Sequence, residues 1–372
     1  MKGKLLKYRL KDLSSYYKKL DKCIFNIKIL IYRPFRTKKV SSNKKDINYI
    51  YLSPADNDPI GGIKVIYKHS ELLSSMGYSS YVYHPQRPNF SCNWFDHKAK
   101  IKKDKYFDKK VDFVIVPEIW VDVFCPKLID LEIKFAIFVQ NPYILFENHS
   151  TIRENILDIA FKKCELIVSI SEAASRILNK IYPEFNHKIL RVYPHVSKVF
   201  IEGKLNKENI ISYMPRKMPK QSSLLLFLLR KQLPKNWSLV SINNMTENDV
   251  VKNFQKSSIF LSFCNQEGFG LPPLEAALCG SMVVGYTGEG AKEYFKYPLF
   301  RPISSGNLSS FCSEVIKLVD EISSKKFPDS QSKIQFKNLK DEYSLIEEKK
   351  RLNLMSKKIK ESFVNLSIAH SK

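Results

Sequence analysis

Short apolar runs separated by segments of helical spacing, met twice in succession, limit the fold of this chain more than any other feature. The run Ile47-Asn-Tyr-Ile-Tyr-Leu52 reads as a strand that ends at Ser53-Pro54. Gly61-Gly62 then opens a helix in which Ile63, Ile66, Leu73 and Met76 recur near helical spacing, with Gly77 as its C-terminal cap. Further strands are expected at 80–83, 112–116, 135–139 and 166–170, with a helix opening at Ser171. Apolar runs without alternation, flanked by helices, belong to a parallel sheet covered on both faces. A second series starts near Asn209, with strands at 210–213, 238–242, 259–263 and 282–285. Its helices are expected at 222–231, from a Thr246 cap through 256, and at 272–279, closed by Gly280. Two consecutive series of similar length predict an α/β chain of two Rossmann-like domains facing across a cleft. Ligands bind such sheets at the carboxyl ends of the strands, so the two domains share one site.

The length fits: 372 residues correspond to roughly two domains. The expected boundaries are a basic N-terminal extension at 1–45, a first domain at 46–206, a second at 207–335 and a C-terminal helical segment at 336–372, helical from about 341 to 366. An apolar fraction of 44% excludes disorder for the chain as a whole. No apolar run approaches the roughly 18 residues that span a bilayer, and 23–32, broken by Asn26 and Lys28, makes a poor signal-peptide core. Seven cysteines without CxxC spacing suggest neither a zinc site nor a disulfide framework, and a reducing cytosol is expected.

The formal charge of +24 calls for an anionic partner. Residues 1–45 hold fifteen Lys/Arg against Asp12 and Asp21, a net +13. Two readings of this arm stand: a segment lying on an anionic membrane surface, or a solvated, partly helical tail. Nucleic acid is not expected as a partner, because no zinc finger, RNP pattern or basic-region heptad accompanies the charge.

The chemistry concentrates in Asn265-Gln-Glu-Gly-Phe-Gly-Leu-Pro-Pro-Leu-Glu-Ala-Ala-Leu-Cys-Gly280. A strand runs into Glu267, two glycines allow close backbone approach of a ligand, and Pro272 or Pro273 suits a first helical turn. The amides and positive dipole end of that helix suit a phosphate. Glu275, one turn inside, can accept hydrogen bonds from vicinal hydroxyls such as those of ribose. Phosphate and diol together describe a nucleoside diphosphate.

Glu267-x7-Glu275 within EGFGLPPLEAALCG resembles the signature of glycosyltransferase family 4, whose members have the two-domain GT-B fold. The resemblance implies that Glu267 contacts the donor sugar near its reacting carbon, that the amides of Gly268, Phe269, Gly270 and Leu271 hold sugar and phosphate, and that Glu275 holds ribose. It extends loosely along the chain from about residue 46. Arg216 stands where the family carries an arginine for the diphosphate, and Lys217 or Lys220 stands for the accompanying lysine. Gly61-Gly62 takes the place of a Gly-rich turn near diphosphate and acceptor, with Gly62 as a candidate contact. The connector 191–200 resembles the family's crossover between domains, and the 285–294 loop its cleft lining. Where many relatives have a histidine, this chain has Gln140 and Asn141. Neither is a base, and each is a candidate contact for acceptor or sugar, or else a strand-end cap.

Asp56-Asn-Asp58 imitates a metal-binding DxD, but an Asx-turn is favoured. His69 falls on the packed face of its helix. No P-loop, nucleophile elbow or HExxH occurs. The expected activity is therefore metal-independent, retaining transfer of a hexose or deoxyhexose from a nucleotide-diphosphate sugar to a glycan in cell-surface polysaccharide synthesis. The acceptor is expected to be lipid-linked, at the inner membrane face. The nucleotide sugar is a co-substrate, and no cofactor is implied. The alternatives are an epimerase or phosphorylase on the same fold, or a non-catalytic anion-binding protein held at a membrane.

Overall fold

The structure, a computed structural model, describes residues 36, 37, 46–147, 150–201, 207–324 and 329–369. The basic arm, Arg36 and Thr37 excepted, and the 23–32 stretch lie outside them.

The first sheet is built from β1 (Asn48–Leu52), β2 (Ser79–Tyr83), β3 (Ile101–Lys102), β4 (Asp112–Pro117), β5 (Phe135–Val139), β6 (Leu166–Ser169) and β7 (Ile189–Arg191). Its order is β3-β2-β1-β4-β5-β6-β7, with every pair parallel. Every residue of β4 and β5 is buried, as their unbroken apolar runs require. Its helices are α1 (Gly61–Ser75), α2 (Val121–Asp130), the single turn α3 (Pro142–Leu145), α4 (Thr151–Lys163) and α5 (Glu172–Ile181). Ser171 caps α5 by accepting the Ala174 N–H, as its position before the helix predicts.

After α6 (Lys198–Ile201) the second sheet follows, from β8 (Glu208–Tyr213), β9 (Ser238–Ser241), β10 (Ser257–Glu267), β11 (Met282–Glu289) and β12 (Phe300–Pro302). Its order is β9-β8-β10-β11-β12, again all parallel. Helices α7 (Pro219–Gln232), α8 (Glu247–Lys256), α9 (Leu271–Leu278) and α10 (Leu308–Ser323) connect and cover it. Thr246 caps α8 as expected, through the Asp249 N–H. Strand order reverses between β1 and β4 in the first sheet and between β8 and β10 in the second, and these are the ligand-binding positions of doubly wound sheets.

Some elements escape the sequence pattern. β3, β7 and β12 are outer strands of two or three residues, too short to form an apolar run. α2 carries Pro126 inside it, and the spacing of α4 is weakly amphipathic. The C-terminal segment is two helices, α11 (Ser330–Glu342) and α12 (Leu345–Ala369), parted at the buried Tyr343. α12 returns to the first sheet's unit. There Tyr78 Oη donates to Asn353 at 2.6 Å and Lys134 Nζ to the Ser362 carbonyl at 2.7 Å. One apolar cluster consequently runs from Tyr49, Ile66 and Phe138 through Tyr193 into Ile259, Phe263 and Val284. A second cluster, around Val114, Phe124 and Ile137, fills the other face of the first sheet.

Candidate active site

The site forms where the two reversal points meet. Past the end of β8, Lys217 pairs its ammonium with Glu267 at the end of β10, each side chain about a quarter exposed. Arg216 Nη2 crosses to the first unit and donates to the Pro59 carbonyl at 3.3 Å. Lys64, on the second turn of α1, forms an ion pair with Glu247 at the start of α8. Three cations and the acids Glu247, Glu267 and Glu275 thus gather between the sheets. Burial pushes the Glu275 carboxyl up to about 7, with Lys64 and Lys217 pulling it back and Glu247 adding to the rise. Lys220 lies exposed on the first turn of α7, so of the two candidate lysines Lys217 is the one brought to Glu267. Lys64 was missed by sequence reasoning. A lone lysine three residues after a Gly-Gly helix start carries no signal until the second unit faces it.

The loop 266–270 departs from expectation. Gly268, Phe269 and Gly270 are buried, so their amides do not open onto a free cleft. The cover comes from the first unit. A Cβ at Gly268 would stand 1.6 Å from the Gln140 carbonyl oxygen, and Asn141 Nδ2 donates to the Gln266 carbonyl at 2.9 Å. The glycine at 268 is therefore required by a protein backbone, where the sequence suggests a ligand. From behind, a Cβ at Gly290 would meet the Gly268 carbonyl at 2.4 Å, so the loop holding Gly285, Gly288 and Gly290 packs directly beneath. Gly270 takes a left-handed φ of +83° as the N-cap of α9. Pro272 and Pro273 then fill the second and third helical positions without N–H groups, which leaves the Leu271 amide as the donor of the first turn. The Phe269 ring is a plug, 5.7 Å from each of the Tyr294 and Tyr343 rings. The ring is buried in the core and faces away from the cleft.

On the first unit's side, Asn141 is a cap and a latch. Its Oδ1 accepts from the Tyr143 N–H at 3.0 Å, while its Nδ2 reaches Gln266. Both groups of the amide are engaged with protein, which favours the strand-end reading over a sugar contact. Gly62 lies against Gln140, whose Oε1 would be 3.2 Å from a Cβ at that position. Glu118, at the reversal point after β4, is 4% exposed and accepts the backbone N–H groups of Gln140 at 3.2 Å and Asn141 at 2.9 Å. Burial raises its carboxyl to about 7, against the pull of those hydrogen bonds. It anchors the turn that covers Gly268.

Two further contacts tie the units together. Glu293 accepts the Glu172 N–H at 2.7 Å and Arg191 Nη2 at 3.1 Å. Glu348 of α12, 1% exposed, lies 3.2 Å from His69 Nε2 and accepts the His195 N–H at 2.7 Å. His69 is thus the packed helix residue expected, stacked on Phe138 at 5.2 Å. Its acidic partner, 279 residues away in sequence, was not foreseen. Burial opposes ionisation of Glu348, but the hydrogen bonds from His195 and the adjacent His69 ring outweigh it and hold the carboxyl down at about 2. Asp58 N–H donates to Asp56 Oδ1 at 2.9 Å, the Asx-turn favoured over a metal site. Among the described residues no cluster of three or more His, Cys, Asp or Glu is placed to hold a metal ion. Among them, too, no helix is long and apolar enough to cross a membrane.

The fold, two parallel sheets with their covering helices, is shared with solved structures. Sucrose-phosphate synthase from Thermosynechococcus elongatus superposes with a TM-score of 0.61 at 8% identity, over 84% of this chain and 99% of that one. HepE from Anabaena, in complex with UDP and glucose, gives 0.60 at 11% identity over 84% and 100%. A glycosyltransferase from Rickettsia africae gives 0.62 at 12% identity over 86% and 99%. The fold is GT-B. Within the GT-B frame, the sequence model of the family described as Glycosyl transferases group 1 matches residues 202–299, the stretch that holds Arg216, Lys217, Glu267 and Glu275. An alpha-1,6-glucosyltransferase of Actinobacillus pleuropneumoniae is 24% identical over 182 residues, 47% of this chain. The match spans about half of that relative's length, 52%. Together these likenesses support a glycosyltransferase.

Proposed function

We propose that this chain is a retaining glycosyltransferase of family 4, moving a hexose or deoxyhexose from a nucleoside diphosphate to a glycan without a metal ion. The observation that carries the reading is the meeting of both reversal points at one cluster, with the Lys217–Glu267 pair at its centre and Arg216 beside it. In this reading Arg216 and Lys217 take the charge of the departing diphosphate, with Lys64 across the interface. Glu267 exchanges its lysine for the donor sugar and steadies positive charge at the reacting carbon. Glu275 accepts hydrogen bonds from the ribose hydroxyls. The leaving phosphate takes the acceptor's proton on the same face, so the absence of a histidine at Gln140 is no obstacle. Because the 140–141 turn covers the amides of 268–270, donor entry requires the two units to part, and closure returns the loop to its place.

The lipid-linked acceptor draws support from the first unit's rim. Ile60, Ile119 and Ile144 follow the neighbouring strands β1, β4 and β5 and are all exposed. Such a rim suits an acceptor with an apolar portion, as a lipid-linked glycan of cell-surface polysaccharide synthesis has. The experiment is release of nucleoside diphosphate from a panel of nucleotide sugars, UDP-glucose first, with and without a glycan extract. Acceptor-dependent release that falls by about a hundred-fold or more in Glu267→Gln is the expected outcome. Release that ignores both the acceptor and Glu267 would remove the proposal.

A further inference from the structure

Helix α7 has two apolar faces, and only one of them is used by the fold. Leu225, Leu226 and Leu229 enter the core under the second sheet's helices. Leu224, Phe227 and Leu228 point the other way and are 57%, 58% and 36% exposed. Spaced i, i+3, i+4, they form one stripe along the outside of the helix. Lys220, Arg230 and Lys231 border it, all exposed, and Pro219–Gln232 contains no Asp or Glu. Lys231 Nζ lies 5.8 Å from the centre of the Phe227 ring, so cation and apolar surface are adjacent. Asp320 and Glu321 of α10 lie at its far end, in a groove shared with Gln232. Glu321 is engaged there by Arg301 at 2.9 Å.

The occupant of this face must be apolar in one part and anionic in another. The chain's own arm, at net +13, would be repelled by the basic border. A second copy docked about a two-fold axis would set the same cations against each other. Nucleic acid would answer the charge and leave the leucines in water. A bilayer with anionic headgroups answers both features. We propose that the outer face of α7 docks the protein on an anionic membrane surface, with Leu224, Phe227 and Leu228 entering the acyl boundary and Lys220, Arg230 and Lys231 meeting headgroup phosphates. This docking does not depend on sugar transfer. Because α7 begins two residues after Lys217, it would set the candidate cleft at the membrane.

The test is co-sedimentation of the full chain with vesicles of phosphatidylcholine alone and of phosphatidylcholine with phosphatidylglycerol, at low and high salt. Wild type is expected to bind the second kind. Leu224→Ser/Phe227→Ser should lose about ten-fold or more of that binding with its melting temperature unchanged, since both side chains leave the interface and neither leaves the core. Arg230→Gln/Lys231→Gln should bind more weakly and with a shallower dependence on salt. The proposal is overturned if the Leu224/Phe227 variant binds anionic vesicles within two-fold of wild type. It is equally overturned if light scattering shows that this variant has lost a dimer, since the stripe would then be a contact between copies.

Discussion

Replacing Gly268 by alanine perturbs a close approach of backbone to backbone between the two units of the fold. The new Cβ would start 1.6 Å from the Gln140 carbonyl oxygen, 2.7 Å from its carbon and 3.1 Å from Asn141 Cα. Real Cβ atoms stay beyond 3.0 Å, so the two backbones must part by about 1.4 Å. No rotamer change can relieve a contact made by backbone on both sides. The loop cannot retreat either, because Gly290 backs it with a would-be Cβ only 2.4 Å from the Gly268 carbonyl. The units therefore open, and the Asn141–Gln266 bond, now 2.9 Å, passes beyond reach. Overpacking of this kind costs about 1–3 kcal/mol of stability, the lower part of that range when opening relieves it. Catalysis suffers more. A displacement of about 1 Å at a reacting centre typically costs roughly a hundred-fold, and Glu267 sits next to the perturbed residue. The assay compares kcat/KM for donor turnover with the melting temperature of the same variant. The expected result is a loss of about a hundred-fold in turnover with a modest fall in Tm. Turnover within two-fold of wild type would refute the closed junction as the working geometry.

Four other substitutions separate the roles of single residues. Lys217→Ala should lower kcat/KM by about a hundred-fold or more, and Lys220→Ala by no more than a few-fold, measured side by side on the same donor. Glu118, buried and raised from 4.5 to about 7, holds a proton in the folded state that the unfolded chain releases, so its contribution to stability falls as pH rises from about 4.5 to about 7. Denaturant unfolding at the two ends of that window should show Glu118→Gln losing about 3 kcal/mol less than wild type. Glu348, held at about 2, acts in the opposite sense: its contribution is present above about 4.5 and is lost as pH falls towards 2. Glu348→Ala removes the shared partner of His69 and His195 and should cost about 3–5 kcal/mol at neutral pH by the same unfolding measurement.

How much of this could be read in the sequence follows from the range of the interactions. The strands of both sheets are local patterns, runs such as Phe135–Val139 that must be buried whatever surrounds them. The caps are local as well, and Ser171 and Thr246 begin helices where their positions say they should. Glu267 and Glu275 were visible because glycines and prolines mark the loop and helix start between them. What was not visible depends on the other unit. Lys64 matters only because Glu247 faces it, and Glu348 only because α12 turns back onto His69. Gly268 stands out in the sequence as a place where close approach of a ligand to the backbone is expected, and its neighbour in the structure is the Gln140 carbonyl. In the sequence Glu118 is an acid at a strand end, toward the cleft, with no local pattern around it. Its part in the site depends on the two amides it accepts from the next strand's turn.

The central claim is that the junction of the two reversal points holds a nucleoside diphosphate, gripped through ribose by Glu275. Calorimetric titration of UDP, ADP and GDP into wild type and Glu275→Ala tests it directly. At about pH 8.5, above the value of about 7 to which burial raises Glu275, one of the three should bind wild type saturably, and the variant should lose about ten-fold to a hundred-fold in affinity, the worth of a charged hydrogen-bond acceptor. Equal affinity in the two proteins, or no binding of any of the three to wild type, would contradict it.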